Sequence, residues 1–362
     1  MKHPLKVALT NCTYKRSCNV IKSKKIDLNK DVKEIAEKAI AAFELKYDES
    51  GHSNLHDPLL RWCDFLRRYI PPMKREVRKS DLFPVNIPDD AKVGLQRIED
   101  LLSSGGDVNP YQSKTLTLFN DTSGKREKQR TDGLWADWGI HHLHLPLNPA
   151  DANKKYSERS EWVLFLKVYD NFALFIDVKH HGKSVEPHLF SQRALIETLI
   201  RNWPEAAEQY VMQGVSGLAS EQPITDESKG RLRGNGVNIP IELNGKVYAP
   251  LGMGVTTAVT SVAVTILRDR ISGYARQIEE IFTDESGPFI EEIKSAGVMS
   301  PNFEMCLMDD GGLGIHEKGI DKVWKFPREN KREPRDVFVV FNNTFLPEWA
   351  GPVVLEHWRN NY

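Results

Sequence analysis

The sequence predicts an α+β protein with a helical N-terminal region, a central antiparallel sheet with a covering helix, and a mixed C-terminal region holding a β-hairpin and a long helix. Three observations predict it. Apolar residues recur at helical spacing through the first 105 residues, the period falls to two from residue 134, and Asn244-Gly245 separates two short apolar runs ahead of another long helical pattern. The corresponding divisions are 1–133, 134–219 and 236–362, and a length of 362 residues exceeds what one hydrophobic core normally serves.

Val32, Ile35, Ala39 and Phe43 place an amphipathic helix over 29–47. Asp57 caps a second, with Pro58 in its first turn; Leu60, Cys63, Leu66 and Ile70 continue it until Pro71-Pro72. A third covers 90–102 and ends at Gly105-Gly106. The near-continuous apolar runs 138–145, 162–169 and 172–178 then read as strands buried on both faces, the last two joined at Asp170-Asn171, a pair suited to the positive φ of a tight hairpin. Ser191 is expected to cap a helix carrying Leu195, Ile196, Leu199 and Ile200, which Pro204 ends. After a polar linker, 220–235, come the Asn244-Gly245 hairpin, a long helix entered from Gly252-Met253-Gly254 and running to about Phe282, a short helix, a glycine-rich turn at 309–314 and a strand at 337–341.

Charge and composition narrow the function. Hydrophobic residues make up 40% and charged residues 27%, which is globular composition, and the net charge of −1 excludes a chain that binds nucleic acid by bulk charge. Basic residues are nevertheless clustered. Residues 1–26 hold seven Lys or Arg and no acid; Arg61, Arg67, Arg68, Lys74, Arg75, Arg78 and Lys79 form a second group; Lys125, Arg126, Lys128 and Arg130 form a third. Each is either a solvated face or a phosphate-tracking patch. Neither a signal-peptide core nor a run of the roughly 20 apolar residues needed to span a bilayer is present, so a cytoplasmic protein with no membrane contact is expected. Cys12, Cys18, Cys63 and Cys306 are scattered without CxxC pairing, which fits a reducing compartment and points to no zinc ribbon.

The chemistry concentrates between Trp135 and His188. His141, His142, His144, His180, His181 and His188 put six histidines in fewer than 50 residues. Strand alternation sets His142 and His144 side by side, with Asp177, Lys179, His180 and His181 at the far end of the third strand. Imidazoles titrate near neutrality, so one can take a proton while its protonated neighbour gives one, and Lys or Arg can stabilise charge on a phosphate. That set suits metal-independent RNA cleavage through the ribose 2′-hydroxyl. Two other readings use the same residues: neutral imidazoles at i and i+2 that ligate zinc in a metal-dependent nuclease, and buried histidines satisfied by backbone groups. An HNH-type site is not expected, because two complete strands separate His142 from His180. Gly252-Met253-Gly254, followed by Thr256, Thr257, Thr260 and Ser261, can present N–H groups to an anion but lacks a Walker lysine. We expect it to begin a helix of at least four turns.

A strand, a polar connection containing Arg159-Ser160, and then the hairpin WVLFLKVYDNFALFIDVKHHG resemble the core of the RelE-like and BrnT-like ribonuclease toxins over residues 134–204. The resemblance implies that Arg159 and Lys167 bind phosphate and that His180 or His181 lies in a catalytic tail. Such toxins are usually small single domains, whereas this chain has large flanks on both sides.

The expectation is therefore an endoribonuclease, a toxin or anti-phage defence effector, with His142, His144, His180 and His181 catalytic and Arg159, Lys167 and Lys179 on the substrate. RNA is the expected partner, with a regulatory protein possible; no metal and no cofactor are expected. The alternatives are a non-enzymatic module that binds nucleic acid or protein, and a His-ligated metal-dependent nuclease.

Overall fold

A computed structural model describes residues 26–49, 55–118, 121–124, 130–182, 185–186, 188–215, 217 and 224–361. The N-terminal basic run, Cys12, Cys18, Lys125, Arg126 and Lys128 lie outside them.

The first helices follow local signals. Asp27 caps α1 (Leu28–Ala42) through the Lys30 N–H, and the helix stops five residues short of expectation, since Glu44 takes a φ of 50° and the Lys46 N–H turns to the Thr117 carbonyl. Asp57 caps α2 (Pro58–Arg68) as expected. A four-residue strand, β1 (Glu76–Lys79), forms within the second basic run, and it precedes α3 (Asp89–Ser104), which ends at Gly105.

The central region departs from expectation at its start. Residues 133–138 are helical, α4 (Gly133–Trp138), because Asp132 caps the N–H groups of Leu134 and Trp135. Gly139, at φ 66°, then turns the chain into β2 (His141–His144), so the expected strand 138–145 keeps only its middle. β3 (Trp162–Val168) and β4 (Phe172–His180) pair antiparallel, with β2 on the outer side of β3. Neither Asp170 nor Asn171 adopts positive φ; the Tyr169 N–H bonds the Phe172 carbonyl, and the Asn171 carbonyl accepts from Glu76. β1 joins β4 in parallel, giving the order β1-β4-β3-β2 and making a mixed sheet of one expected to be antiparallel throughout.

Both faces of this sheet are buried, which is what the unbroken apolar runs demand. Ala91, Leu95, Ile98 and Leu102 of α3 cover Leu143, Leu164, Leu166 and Phe175 on one face. On the other, Leu195, Ile196, Leu199 and Ile200 of α5 (Arg193–Asn202) cover Val163, Phe165, Leu174 and Ile176. Ser191 does not cap α5. It closes a short 3-10 turn, and Gln192 stands at the cap without a side-chain bond.

The linker expected at 220–235 contains α6 (Asp226–Arg233), whose Arg233 pairs with the buried Asp137. β5 (Ile241–Leu243) and β6 (Lys246–Tyr248) flank Asn244-Gly245, both at positive φ, as the hairpin signal requires. The glycine turn that follows does not enter a helix directly. The N–H groups of Gly252 and Gly254 bond the carbonyls of Asp137 and Ala136, and a side chain at Gly252 would strike the Trp135 and Ala136 carbonyls. Those donors are therefore not offered to a nucleotide. After a loop, α7 (Val262–Thr283) runs 22 residues, and α8 (Pro288–Ser295) follows.

β7 (Phe303–Leu307), β8 (Leu313–Glu317) and β9 (Lys322–Lys325) form an antiparallel meander. The expected strand at 337–341 is helical, α9 (Val337–Phe345), capped by Asp336, and α10 (Gly351–Asn361) ends the fold. Five consecutive apolar residues suit either a buried helix or a buried strand, and packing beside α7 decides for helix. A third core joins Val32 and Ala39 of α1 and Trp62 of α2 to Ile271, Phe341 and Val354. Cores thus cross the divisions at 133 and 236.

Candidate active site

Asp132 organises the site. One carboxylate oxygen caps α4, and the other lies 3.4 Å from Nδ1 of His142. The Asp132 carboxyl is buried, which would raise its pKa, but His142, Arg68 and the Trp135 N–H outweigh burial and hold it below the usual range. Burial pushes His142 down, against the attraction of Asp132. The proton of neutral His142 belongs on the nitrogen facing the carboxylate, which leaves Nε2 as an acceptor.

Alternation in β2 sets His142 and His144 on one face, as expected. The His142 ring is 4.9 Å from that of Phe190, and the His144 ring meets His181 edge-on at 5.7 Å. His181 in turn lies 5.4 Å from Phe190. His144 Nδ1 is 3.2 Å from the Ser160 carbonyl, so this nitrogen donates and Nε2 is again the acceptor.

A β-bulge decides which histidine of the second pair joins them. Phe165 opposes Asp177 while Leu166 opposes Phe175, leaving Ile176 unpaired. The extra residue reverses parity, so Asp177, Lys179 and His181 share the face of Phe165 and His142. His180 falls on the opposite face, edge-on to Trp162 at 5.4 Å and 3.4 Å from the Glu161 carboxylate. The four expected catalytic histidines therefore divide into three together and one apart.

The substrate-binding candidates divide too. Lys179 lies on the histidine face, 3.1 Å from the Asp177 carboxylate. Arg159 is exposed, makes no hydrogen bond or ion pair among the described residues, and lines a cleft of about 270 Å³ with His144, Tyr156 and Lys114. Lys167 is elsewhere: its Nζ donates to the Trp138 carbonyl at 3.1 Å inside a separate cavity. Most of the second basic group is held by partners within the fold. Arg61 and Arg68 are buried around Asp64, Arg75 donates to the carbonyls of Tyr169, Pro71 and Met73, and Arg78 and Lys79 pair with Glu76 and Glu99.

No family model, curated protein or solved structure matches this chain. Among the described residues, no three His, Cys, Asp or Glu side chains converge as a metal-binding group, and no helix is long and apolar enough to cross a membrane.

Asp132, Phe190 and Tyr156 are site residues that no motif in the sequence singles out. Asp132 was legible in principle, since an Asp immediately before Gly-Leu-Trp is an N-cap signal once 133–138 is taken as helix. Phe190 and Tyr156 carried no local signal.

The buried histidines give a measurable linkage. Burial holds His144 down to about 4, the nearby His142 adding to it, against the 6.5 of a free imidazole. Between those values the unfolded chain binds a proton that the folded chain refuses. Stability is therefore full above about pH 6.5 and falls as pH drops toward 4, by about 1.4 kcal/mol per pH unit for one such group. We expect His144→Gln to flatten the pH dependence of the urea-unfolding free energy in that window by this slope; an unchanged slope would contradict the assignment.

Proposed function

We propose that the chain is a metal-independent endoribonuclease, a toxin or defence effector, acting at the His142–His144–His181 face. The observation that carries this reading is the convergence of Asp132, His142 and His181, three groups from separate elements, beside the unpaired guanidinium of Arg159. The likeness to RelE-like and BrnT-like toxins supports the same reading through the order of strand and hairpin. Cytoplasmic location and RNA as the substrate belong to it, with the packed flanking regions, or a regulatory protein, restraining the activity.

In this mechanism Nε2 of His142 takes the proton of the ribose 2′-hydroxyl, and Asp132 stabilises the imidazolium that forms. The 2′-oxygen bonds to phosphorus, the bond to the 5′-oxygen breaks, and protonated His181 gives its proton to that leaving oxygen. Burial holds the His181 pKa low, with His142 and Arg159 adding to it, and an incoming phosphate opposes that shift. Arg159 and Lys179 offset the charge growing on the phosphoryl oxygens.

One observation favours a second reading. The His142 side chain is only 11% exposed and His144 7%, which suits a non-enzymatic module binding RNA or protein at the Arg159 cleft. Incubating the purified protein with total RNA, with and without EDTA, separates the two. Cleavage is expected to leave 2′,3′-cyclic phosphate ends and to be unaffected by EDTA. RNA retained but uncut would favour the binding module, and metal-dependent cleavage to 5′-phosphate ends would overturn the mechanism.

A further inference from the structure

A second site lies on the other side of α4, in a cavity of about 400 Å³ between the end of α2, the end of β3 and the glycine turn. Lys167 projects into it. Its Nζ occupies the space a side chain at Gly139 would fill, and only 8% of the residue is exposed. An ammonium carries three donors, yet Nζ has one hydrogen-bond acceptor among the described residues, the Trp138 carbonyl, and no carboxylate within ion-pair distance. The Tyr169 ring, 5.8 Å away, adds only a weak cation–π contact.

The other cations do not correct this. Arg67 makes no hydrogen bond or ion pair among the described residues. Arg75 meets backbone carbonyls, which satisfy donors and leave its charge uncompensated. Asp170 is the single acid on the wall and forms no ion pair among the described residues, while His141 is held neutral by burial, down to about 3. The wall thus carries an excess of about two positive charges. Secluding an ammonium without a counter-ion costs several kcal/mol, so the arrangement is one that an anion completes. A phosphate monoester, at about −1.5 to −2 near neutrality, matches that excess where a single carboxylate does not. The volume lies within the roughly 300–1,000 Å³ of small-molecule sites. Tyr210, partly buried against the neighbouring core, also lines the wall and brings an aromatic ring to the cavity that a flat heterocycle can meet.

We propose that this cavity binds a nucleoside monophosphate, with the phosphate between Lys167 and Arg67 and the base against Tyr210. The inference does not rest on the ribonuclease reading, and its test measures binding instead of cleavage. The whole chain is titrated calorimetrically with the four nucleoside 5′-monophosphates, the four nucleosides and inorganic phosphate. At least one monophosphate is expected to bind, with its nucleoside and inorganic phosphate each more than tenfold weaker. Arg67→Gln and Lys167→Gln should each weaken that binding at least tenfold, and Lys92→Gln, a surface lysine paired with Asp89, should leave it unchanged. Arg67 is exposed, so its variant keeps the test decisive even where Lys167→Gln fails to fold. Absence of heat for all four monophosphates at millimolar concentration, affinity retained in Arg67→Gln, or inorganic phosphate binding as tightly as the nucleotide would each overturn the proposal.

Discussion

His142→Ala is expected to lower RNA cleavage by about 10²- to 10⁴-fold, the usual contribution of a positioned proton-transfer group. His181→Ala should fall in the same range, whereas His180→Ala should stay close to the parent protein. The contrast is the informative part. His180 and His181 are adjacent in sequence, yet the bulge at Ile176 puts them on opposite faces, with His180 against Trp162 and Glu161. Asp132→Asn should retain the α4 cap and lose the charge beside His142, lowering the rate and shifting its pH profile. A merely structural role for Asp132 would lower the amount of folded protein without moving that profile. The measurement is single-turnover cleavage of one RNA substrate, with far-ultraviolet circular dichroism confirming the fold of each variant. Equal losses in His180→Ala and His181→Ala, or full activity in His142→Ala, would sink the proposed mechanism.

Asp64→Ala is expected to cost about 3–5 kcal/mol of unfolding free energy, the penalty for removing one partner of a buried charge network. Arg61 and Asp64 are fully inaccessible and Arg68 is 3% exposed. The Asp64 carboxylate lies 3.4 Å from Arg61 and 3.3 Å from Arg68, and accepts from Thr131 at 3.5 Å. Arg61 also donates to the carbonyls of Lys46, Leu116 and Thr117, and Arg68 to that of Thr115, so the network ties α2 to the loop segments that run past it. Without Asp64, two guanidinium groups stay buried with carbonyl acceptors and no ion-paired carboxylate among the described residues. Urea unfolding monitored by tryptophan fluorescence reads the change. A loss below about 1 kcal/mol would assign the pair to the class of exposed ion pairs. Arg68 also acts electrostatically on Asp132 and His142, so the network supports the site as well as the fold.

Features set by a few neighbouring residues were determined by the sequence alone. The Asp57 cap with Pro58, the stop at Gly105, the Asn244-Gly245 hairpin and the double burial of β3 and β4 all follow from backbone demands or apolar runs that need no distant partner. The shared face of His142 and His144 is of the same kind, since alternation within one strand is a local rule. Tertiary structure alone decided the rest. β1 exists because the edge of β4 pairs its short polar sequence, and 337–345 became a helix because α7 packs beside it. The separation of His180 from His181 follows from one unpaired residue, and a single insertion in a ladder reverses the facing of every side chain after it. Lys167 obeys the parity of its strand yet ends in another cavity, because α4 and Gly139 open a space for its Nζ beside the Trp138 carbonyl. Residue types were legible; which of them meet depended on register, bulge and the turn of a short helix, which are properties of paired elements and not of any one of them.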